Sequence, residues 1–328
     1  MIETDSAAAA AAAFRNVTFR YPGEQLTLIE NLDFTIRRGE FVSLVGPSGC
    51  GKSTIFRLLN RLNEPLEGTV ETFAKDTEDP GKGGSEEITE ENRESSLIGL
   101  EKNRESSSIG LEKNRESSPA ELGKTRESSP ARKERNRQNK STGSGKKENV
   151  RCGYMPQQDM LFPWRTVAEN VRLPLELRGG MREAEMNERA AEALKDVGLE
   201  GWGDKLPREL SGGMRQRASF ARTLMTGADL LLLDEPFSAL DYLTRLSMRE
   251  WLLKQWEKDK KTVLFITHDV EEAVFLSTRI LAVERSPIRE LQEYKVPLSY
   301  PRTESSLATP EALALKERLI RLFREAGK

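Results

Sequence analysis

Nine residues, Gly46-Pro47-Ser48-Gly49-Cys50-Gly51-Lys52-Ser53-Thr54, constrain this chain more than any other feature. They fit the pattern G-x-x-x-x-G-K-[ST]. They follow an apolar run, Phe41-Val42-Ser43-Leu44-Val45, and open a helix-like stretch from Ser53 to Leu62. Strand, glycine-rich turn and helix in that order form the context in which the pattern has a mechanism. Glycine lets successive backbone N–H groups converge on one anion, and the helix N-terminus adds a favourable dipole. The loop therefore reads as a phosphate cradle. Lys52 would neutralise the outer phosphates, Ser53 would ligate Mg²⁺, and Cys50 would serve as a small loop residue. A weaker echo, Gly143-Ser144-Gly145-Lys146-Lys147, lacks both the hydroxyl residue after lysine and a preceding strand.

A second run complements the first. Leu230-Leu231-Leu232-Leu233-Asp234-Glu235 is an apolar strand ending in two carboxylates. In a parallel sheet such a strand delivers both acids to the edge where the phosphate loop lies. Asp234 would hold Mg²⁺, and Glu235 would polarise an attacking water, the positioning and charge neutralisation that phosphoryl transfer needs. Shortly upstream, Leu210-Ser211-Gly212-Gly213-Met214-Arg215-Gln216 reads as a turn that opens a helix, with its first amides available to an anion.

Composition needs the chain to be divided. Hydrophobic residues make up 37% and charged residues 32%, a polar balance for a fold of 328 residues. The excess is local. The segment 76–149 is poor in large apolar residues and repeats Arg-Glu-Ser-Ser at Arg93, Arg104, Arg115 and Arg126, a period of 11. Such a period can mark a helical supercoil. The apolar positions fade along the repeats, so a disordered insert is the reading here. Its end, from Arg132 to Lys147, is basic: a solvated tail, or a contact for anionic lipid or RNA. The remaining parts, 14–75 and 150–328, read as one domain, and 1–13 as a flexible alanine-rich tail.

Charge and special residues exclude several classes. Lys and Arg number 51 against 53 Asp and Glu, for a formal charge of −2, which argues against a general polyanion binder. Two distant cysteines form no disulfide framework and one histidine no His-rich metal site. No apolar run approaches the roughly 20 residues of a membrane span. No basic segment precedes the run Ala7–Ala13, so no signal peptide is expected and the chain reads as cytoplasmic.

Short strand-like runs occupy 17–19, 26–29, 34–36 and 41–45, helices fill 166–210, and further apolar strands lie at Leu230–Leu233 and Val263–Ile266. Alternating strands and helices predict an α/β core with a parallel sheet. Near the C-terminus Thr309 reads as an N-cap, Pro310 as the first helical position, and Leu315, Leu319, Leu322 and Phe323 as one packing face.

Taken together, GPSGCGKST, LSGGMRQ, LLLLDEP, Ser238-Ala239-Leu240-Asp241 and Thr267-His268-Asp269 resemble the ATP-binding cassette of ABC transporters. The likeness runs from residue 14 to about 325, apart from the insert. It implies a P-loop NTPase fold: a mostly parallel core sheet, an antiparallel β subdomain and an α-helical subdomain. It implies ATP and Mg²⁺ as cofactors, with Tyr21 stacked on adenine and His268 on the γ-phosphate. Gln157 would be the glutamine that senses γ-phosphate, metal and membrane partner, Gln158 being the neighbour with which it could be confused. Ser211, Gly212 and Gly213 would complete the site of an opposite protomer, and Asp241 would lie in the loop that crosses to it. Two cassettes, as a homodimer, would thus sandwich two ATP molecules.

One cassette without a membrane span places the pore on separate permease subunits, as in importers. The stretch Leu161–Val167, the run Asp234–Asp241 and the tail Val296–Arg302 resemble the ATPases of nitrate, sulfonate and taurine importers. The expected location is peripheral, at the cytoplasmic face of the inner membrane, with a solute-binding protein as an indirect partner and no nucleic acid. An exporter ATPase, a soluble non-transport ABC ATPase and a non-catalytic cassette are the alternatives. The family pattern is broken at the insert, where about 74 residues stand in place of roughly a dozen.

Overall fold

The structure is a computed structural model that describes residues 10–73 and 152–326. The expectation of a disordered, repetitive insert over 76–149, with its basic end, lies outside the described residues.

A six-stranded sheet carries the fold, in the order β5 (Cys152–Met155), β6 (Leu230–Asp234), β7 (Thr262–Ile266), β3 (Phe41–Val45), β8 (Arg279–Ala282) and β9 (Gln292–Lys295). All neighbours pair in parallel except β9, which runs antiparallel at the edge. The central strands β3, β6 and β7 are buried throughout and mostly apolar because both faces are covered. Alternate residues enter two different cores. Phe41, Leu231, Leu233, Val263 and Phe265 join one, while Val42, Leu44, Leu230, Leu232, Leu264 and Ile266 join the other. Each fully buried leucine contributes on the order of 2 kcal/mol.

The first core is roofed by helices. These are α2 (Val167–Arg178), α3 (Glu183–Asp196), α4 (Gly212–Leu224), α5 (Tyr242–Asp259), α6 (Val270–Leu276) and α7 (Pro310–Ala326). The second core holds α1 (Lys52–Leu59) and an antiparallel sheet of β1 (Ala10–Phe19), β2 (Ile29–Arg37) and β4 (Glu67–Thr72), in the order β2-β1-β4. The parallel core, β subdomain and helical elements match the expected fold class.

Three local expectations need correction. Residues 10–13 are not tail: Ala12 and Ala13 pair with Ile36 and Thr35 on one side and with Thr72 and Glu71 on the other. Alanine favours helix in isolation, but partners on both edges override so weak a preference. Of the run Leu26–Ile29 only Ile29 is strand, and Leu26 is exposed. Helix α1 stops at Leu59 rather than Leu62, because Arg61 takes a left-handed conformation at φ 56°.

The closing helix behaves as its pattern implies. Thr309 Oγ1 accepts the Ala312 amide at 3.3 Å. Ala312, Leu315 and Leu319 are buried in the helical core, with Leu322 and Phe323 packed against it. Just before it, Arg302 is buried and donates to the carbonyls of Val274, Phe275, Ser277 and Leu298. It thereby satisfies the orphan acceptors at the end of α6.

Candidate nucleotide site

Parallel pairing sets the ends of β3, β6 and β7 side by side, with Leu44 and Asp234 both registered against Ile266. The phosphate loop leaves β3 at this edge. Gly46 must be glycine here: an added Cβ would stand 2.7 Å from the Val283 carbonyl. Gly51 caps α1 at φ 107°, a left-handed backbone that disfavours other residues, and supplies no side chain to the helix start. Lys52 is 6% exposed, and its Nζ donates to Gly46 O at 2.9 Å and Pro47 O at 2.8 Å. The ammonium is thus held across the loop chiefly by carbonyls. Cys50 Sγ lies 3.8 Å from it, and burial pushes this thiol up. Burial likewise pushes the Cys152 thiol up to about 11. Both thiols are therefore protonated, which gives no support to a redox role for Cys50.

Asp234 is 3% exposed at the end of β6. Burial raises its carboxyl, the Ser53 hydrogen bond lowers it, the Glu235 charge raises it, and Lys52 and Arg57 lower it, with a net rise. Ser53 and Asp234 thus meet as two hard oxygen donors beside the Lys52 ammonium. Among the described residues no group of three or more His, Cys, Asp or Glu could hold a metal. The pair fits Mg²⁺ in its usual role, where phosphate and water oxygens supply the remaining ligands.

The next residue turns sharply. Glu235 has φ 49°, and its amide donates to Ile266 O at 2.9 Å. A non-glycine residue in this region is uncommon and often marks a functional site. The turn aims its carboxylate at two other residues expected in the site. Gln157 Nε2 donates to Glu235 Oε2 at 3.1 Å, and His268 Nδ1 lies 3.4 Å from the same oxygen. Gln157, rather than Gln158, makes this contact. Two residues 111 positions apart, Gln157 and His268, thus converge on one carboxylate oxygen.

Tyr21 also reaches the loop. Its hydroxyl is 3.0 Å from Thr54 Oγ1 and accepts from Arg57 NH1 at 2.9 Å. The Ser48 and Gly49 tip of the loop is exposed.

Ser211, Gly212 and Gly213 make no hydrogen bond with residues 46–54 among the described residues. Ser211 caps α4, its hydroxyl accepting the Met214 amide at 3.3 Å. Gly213 packs so closely that a Cβ would meet Ala239 O at 3.1 Å. Asp241 caps α5 through the Thr244 amide at 3.0 Å, and the Thr244 hydrogen bonds hold its carboxyl below the usual range.

Two residues had no role in the sequence reading. Gln216 is buried on α4; it donates to Glu235 O at 3.0 Å and Ser238 Oγ at 3.1 Å, and accepts the Ala239 amide at 2.9 Å. It therefore ties the helix that opens at Ser211 to the loop that ends at Asp241. Asn170, buried on α2, fastens the segment after Gln157 by accepting the Phe162 amide at 2.7 Å and donating to Phe162 O, Arg165 O and Thr166 O. Only their position in the helix could have signalled them, since a lone Gln or Asn in a helix has many uses. A separate cleft of about 390 Å³, lined by Trp251, Trp256 and Leu231 among others, holds none of the site residues.

The ABC transporter family model matches residues 29–145 and 125–238. The chain is 36% identical over 285 residues to the formylaminopyrimidine import ATP-binding protein ThiZ of Halalkalibacterium halodurans, covering 87% of this chain and 84% of that one. It is 28% identical to the aliphatic sulfonates import ATP-binding protein SsuB of Bacillus subtilis, covering 95% and 92%. The ATP-binding cassette MJ0796, solved as a dimer in a post-hydrolysis state with ADP and Pi, superimposes with a TM-score of 0.59 at 28% identity, covering 88% of this chain and all of that one. This chain belongs to the ABC transporter family, as an ATP-binding, ATP-hydrolysing cassette.

Proposed function

We propose that the chain energises uptake of a small anionic or organic solute, of the nitrate, sulfonate or taurine type, through separate permease subunits. The convergence of Gln157 and His268 on Glu235, beside Asp234, Ser53 and Lys52, carries the reading. Lys52 and the loop amides hold the β- and γ-phosphates. Ser53, Asp234 and Gln157 hold Mg²⁺, which when bound neutralises phosphate charge. Glu235 orients the attacking water and takes its proton, and His268 contacts the γ-phosphate. Tyr21 stacks on adenine. Positioning and charge neutralisation supply most of the barrier reduction in such chemistry.

The site is half of a pair. Ser211, Gly212, Gly213 and Asp241, which make no hydrogen bond to the chain's own phosphate loop among the described residues, serve a second copy. The relative MJ0796 is itself a dimer. Met160, Phe162 and Trp164 are exposed just after Gln157, Trp164 at 73%. Exposed apolar groups of this size mark an interaction surface. They serve as the face for the permease, and this supports a location at the cytoplasmic side of the membrane. No helix among the described residues is long and apolar enough to cross a membrane. The solute class rests on the relatives named for formylaminopyrimidine and sulfonate import.

Replacing Glu235 by Gln tests the site. The variant keeps ATP binding, loses turnover by at least about a hundredfold, and accumulates as an ATP-bound dimer. Undiminished hydrolysis would refute the assignment. Co-purification of the permease, followed by solute binding to its associated binding protein, tests the cargo.

A further inference from the structure

Glu272 is a buried acid that the chemistry above does not use. It is 4% exposed in the first turn of α6, behind the loop that carries His268. Its Oε2 accepts the Thr267 hydroxyl at 2.6 Å. The same hydroxyl accepts the Asp269 amide at 3.0 Å, so the residues on both sides of His268 are gripped together. The other oxygen, Oε1, faces α5, where Arg245 Nε stands 3.9 Å away. Arg245 in turn donates from NH2 to Leu240 O at 3.0 Å, the residue before Asp241. A line of polar groups therefore runs from the His268 loop through Glu272 and Arg245 to the Asp241 loop.

One link in that line is open. Arg245 Nε is buried and has no hydrogen-bond acceptor. Its 3.9 Å separation from Glu272 exceeds a charge-assisted hydrogen bond by about 1 Å. The other nearby cation, Arg249, is engaged elsewhere, over the Phe275 ring at 4.6 Å and with Glu304. A shift of about 1 Å in either loop would satisfy the orphaned donor and the acid together, where burial makes such a bond strong.

We propose that Glu272 and Arg245 are positioning residues that join the His268 loop to the Asp241 loop, their contact closing when nucleotide engages His268. The γ-phosphate contact of one cassette and its crossing loop to the other then move as one unit. This rests on the roles given above to His268 and Asp241.

The test uses the full chain and MgATP. Turnover, affinity for a fluorescent ATP analogue and melting temperature are measured for Glu272→Gln, Arg245→Met, Arg245→Lys, the Gln/Met double variant and His268→Ala. Each of Glu272→Gln and Arg245→Met is expected to lower kcat about tenfold, within the range for residues that act through others. ATP affinity should stay within about twofold. Arg245→Lys, which keeps the cation, should recover most of the rate. The double variant should be no slower than the slower single, since both remove the same link. Unchanged kcat in either single, or losses that multiply in the double, would overturn the proposal. If Glu272→Gln does not fold, the Arg245→Met and Arg245→Lys pair decides alone. Full turnover in His268→Ala would instead overturn the site reading beneath it.

Discussion

Replacing Gln216 by Leu removes one buried side chain of nearly constant volume and three hydrogen bonds. Glu235 O keeps other donors, in the Ser238 amide and hydroxyl. The Ala239 amide loses its acceptor, and Ser238 Oγ loses one donor. A net loss of about 1 kcal/mol per bond, plus desolvation of the stranded amide, predicts a cost of about 2–4 kcal/mol. For a domain of this size that lowers Tm by roughly 4–12 °C. Turnover should fall as well, because Gln216 holds the backbone of Glu235, the proposed general base. Gln216→Glu keeps the acceptor for the Ala239 amide but sets a buried carboxylate oxygen against Glu235 O, so it should cost at least as much. Thermal melts and steady-state hydrolysis of both variants provide the assay. A Gln216→Leu protein that melts with the wild type would refute the view that this side chain fastens α4 to the Glu235–Asp241 loop.

The other expectations are independent of that one. Cutting residues 80–145 to a short linker should preserve hydrolysis and raise stability by about 1.5 kcal/mol, the loop-closure saving for a six-fold shortening. The ends allow it, since Phe73 lines the same cleft as Leu230 and Cys152 pairs with Leu230. Folded deletion protein without activity would contradict this. Arg302→Met strands three carbonyls at the end of α6 and that of Leu298, and at about 1 kcal/mol per lost bond should cost about 3–5 kcal/mol, read as a lower Tm with little change in ATP affinity. Burial raises the Glu176 carboxyl, but hydrogen bonds and charges from Arg165 and Arg172 outweigh it, and the net shift is down from 4.5. Its contribution, at most about 1 kcal/mol in this half-exposed setting, is present above pH 4.5 and is lost as pH falls through the depressed value. The melting difference between wild type and Glu176→Gln should therefore shrink in acid, and a difference that grows there would refute the assignment.

Much of the site is legible because its motifs are local. The phosphate loop, the acid pair after β6 and the Thr309 cap each depend on a few adjacent residues whose backbone context is written beside them. Ala10–Ala13 is the opposite case. Nothing in an alanine run announces a strand, and its conformation follows from β2 and β4 lying on either side. Strands β8 and β9 also escape a reading of apolar runs; β8 is only four residues long, and β9, at the edge of the sheet, buries Tyr294 alone.

By itself, the sequence determined which groups are on offer: a glycine-rich loop with its lysine, two carboxylates at a strand end and a lone histidine, in the order of the cassette family. Tertiary structure decided which of these meet. Only parallel pairing of β3, β6 and β7 sets three strand ends level. Only the left-handed turn at Glu235 aims its carboxylate at Gln157 and His268. The roles of Gln216 and Glu272 likewise exist only once distant loops are packed together. Motifs persist in short stretches of backbone, whereas contacts between residues a hundred positions apart depend on the register of a folded sheet.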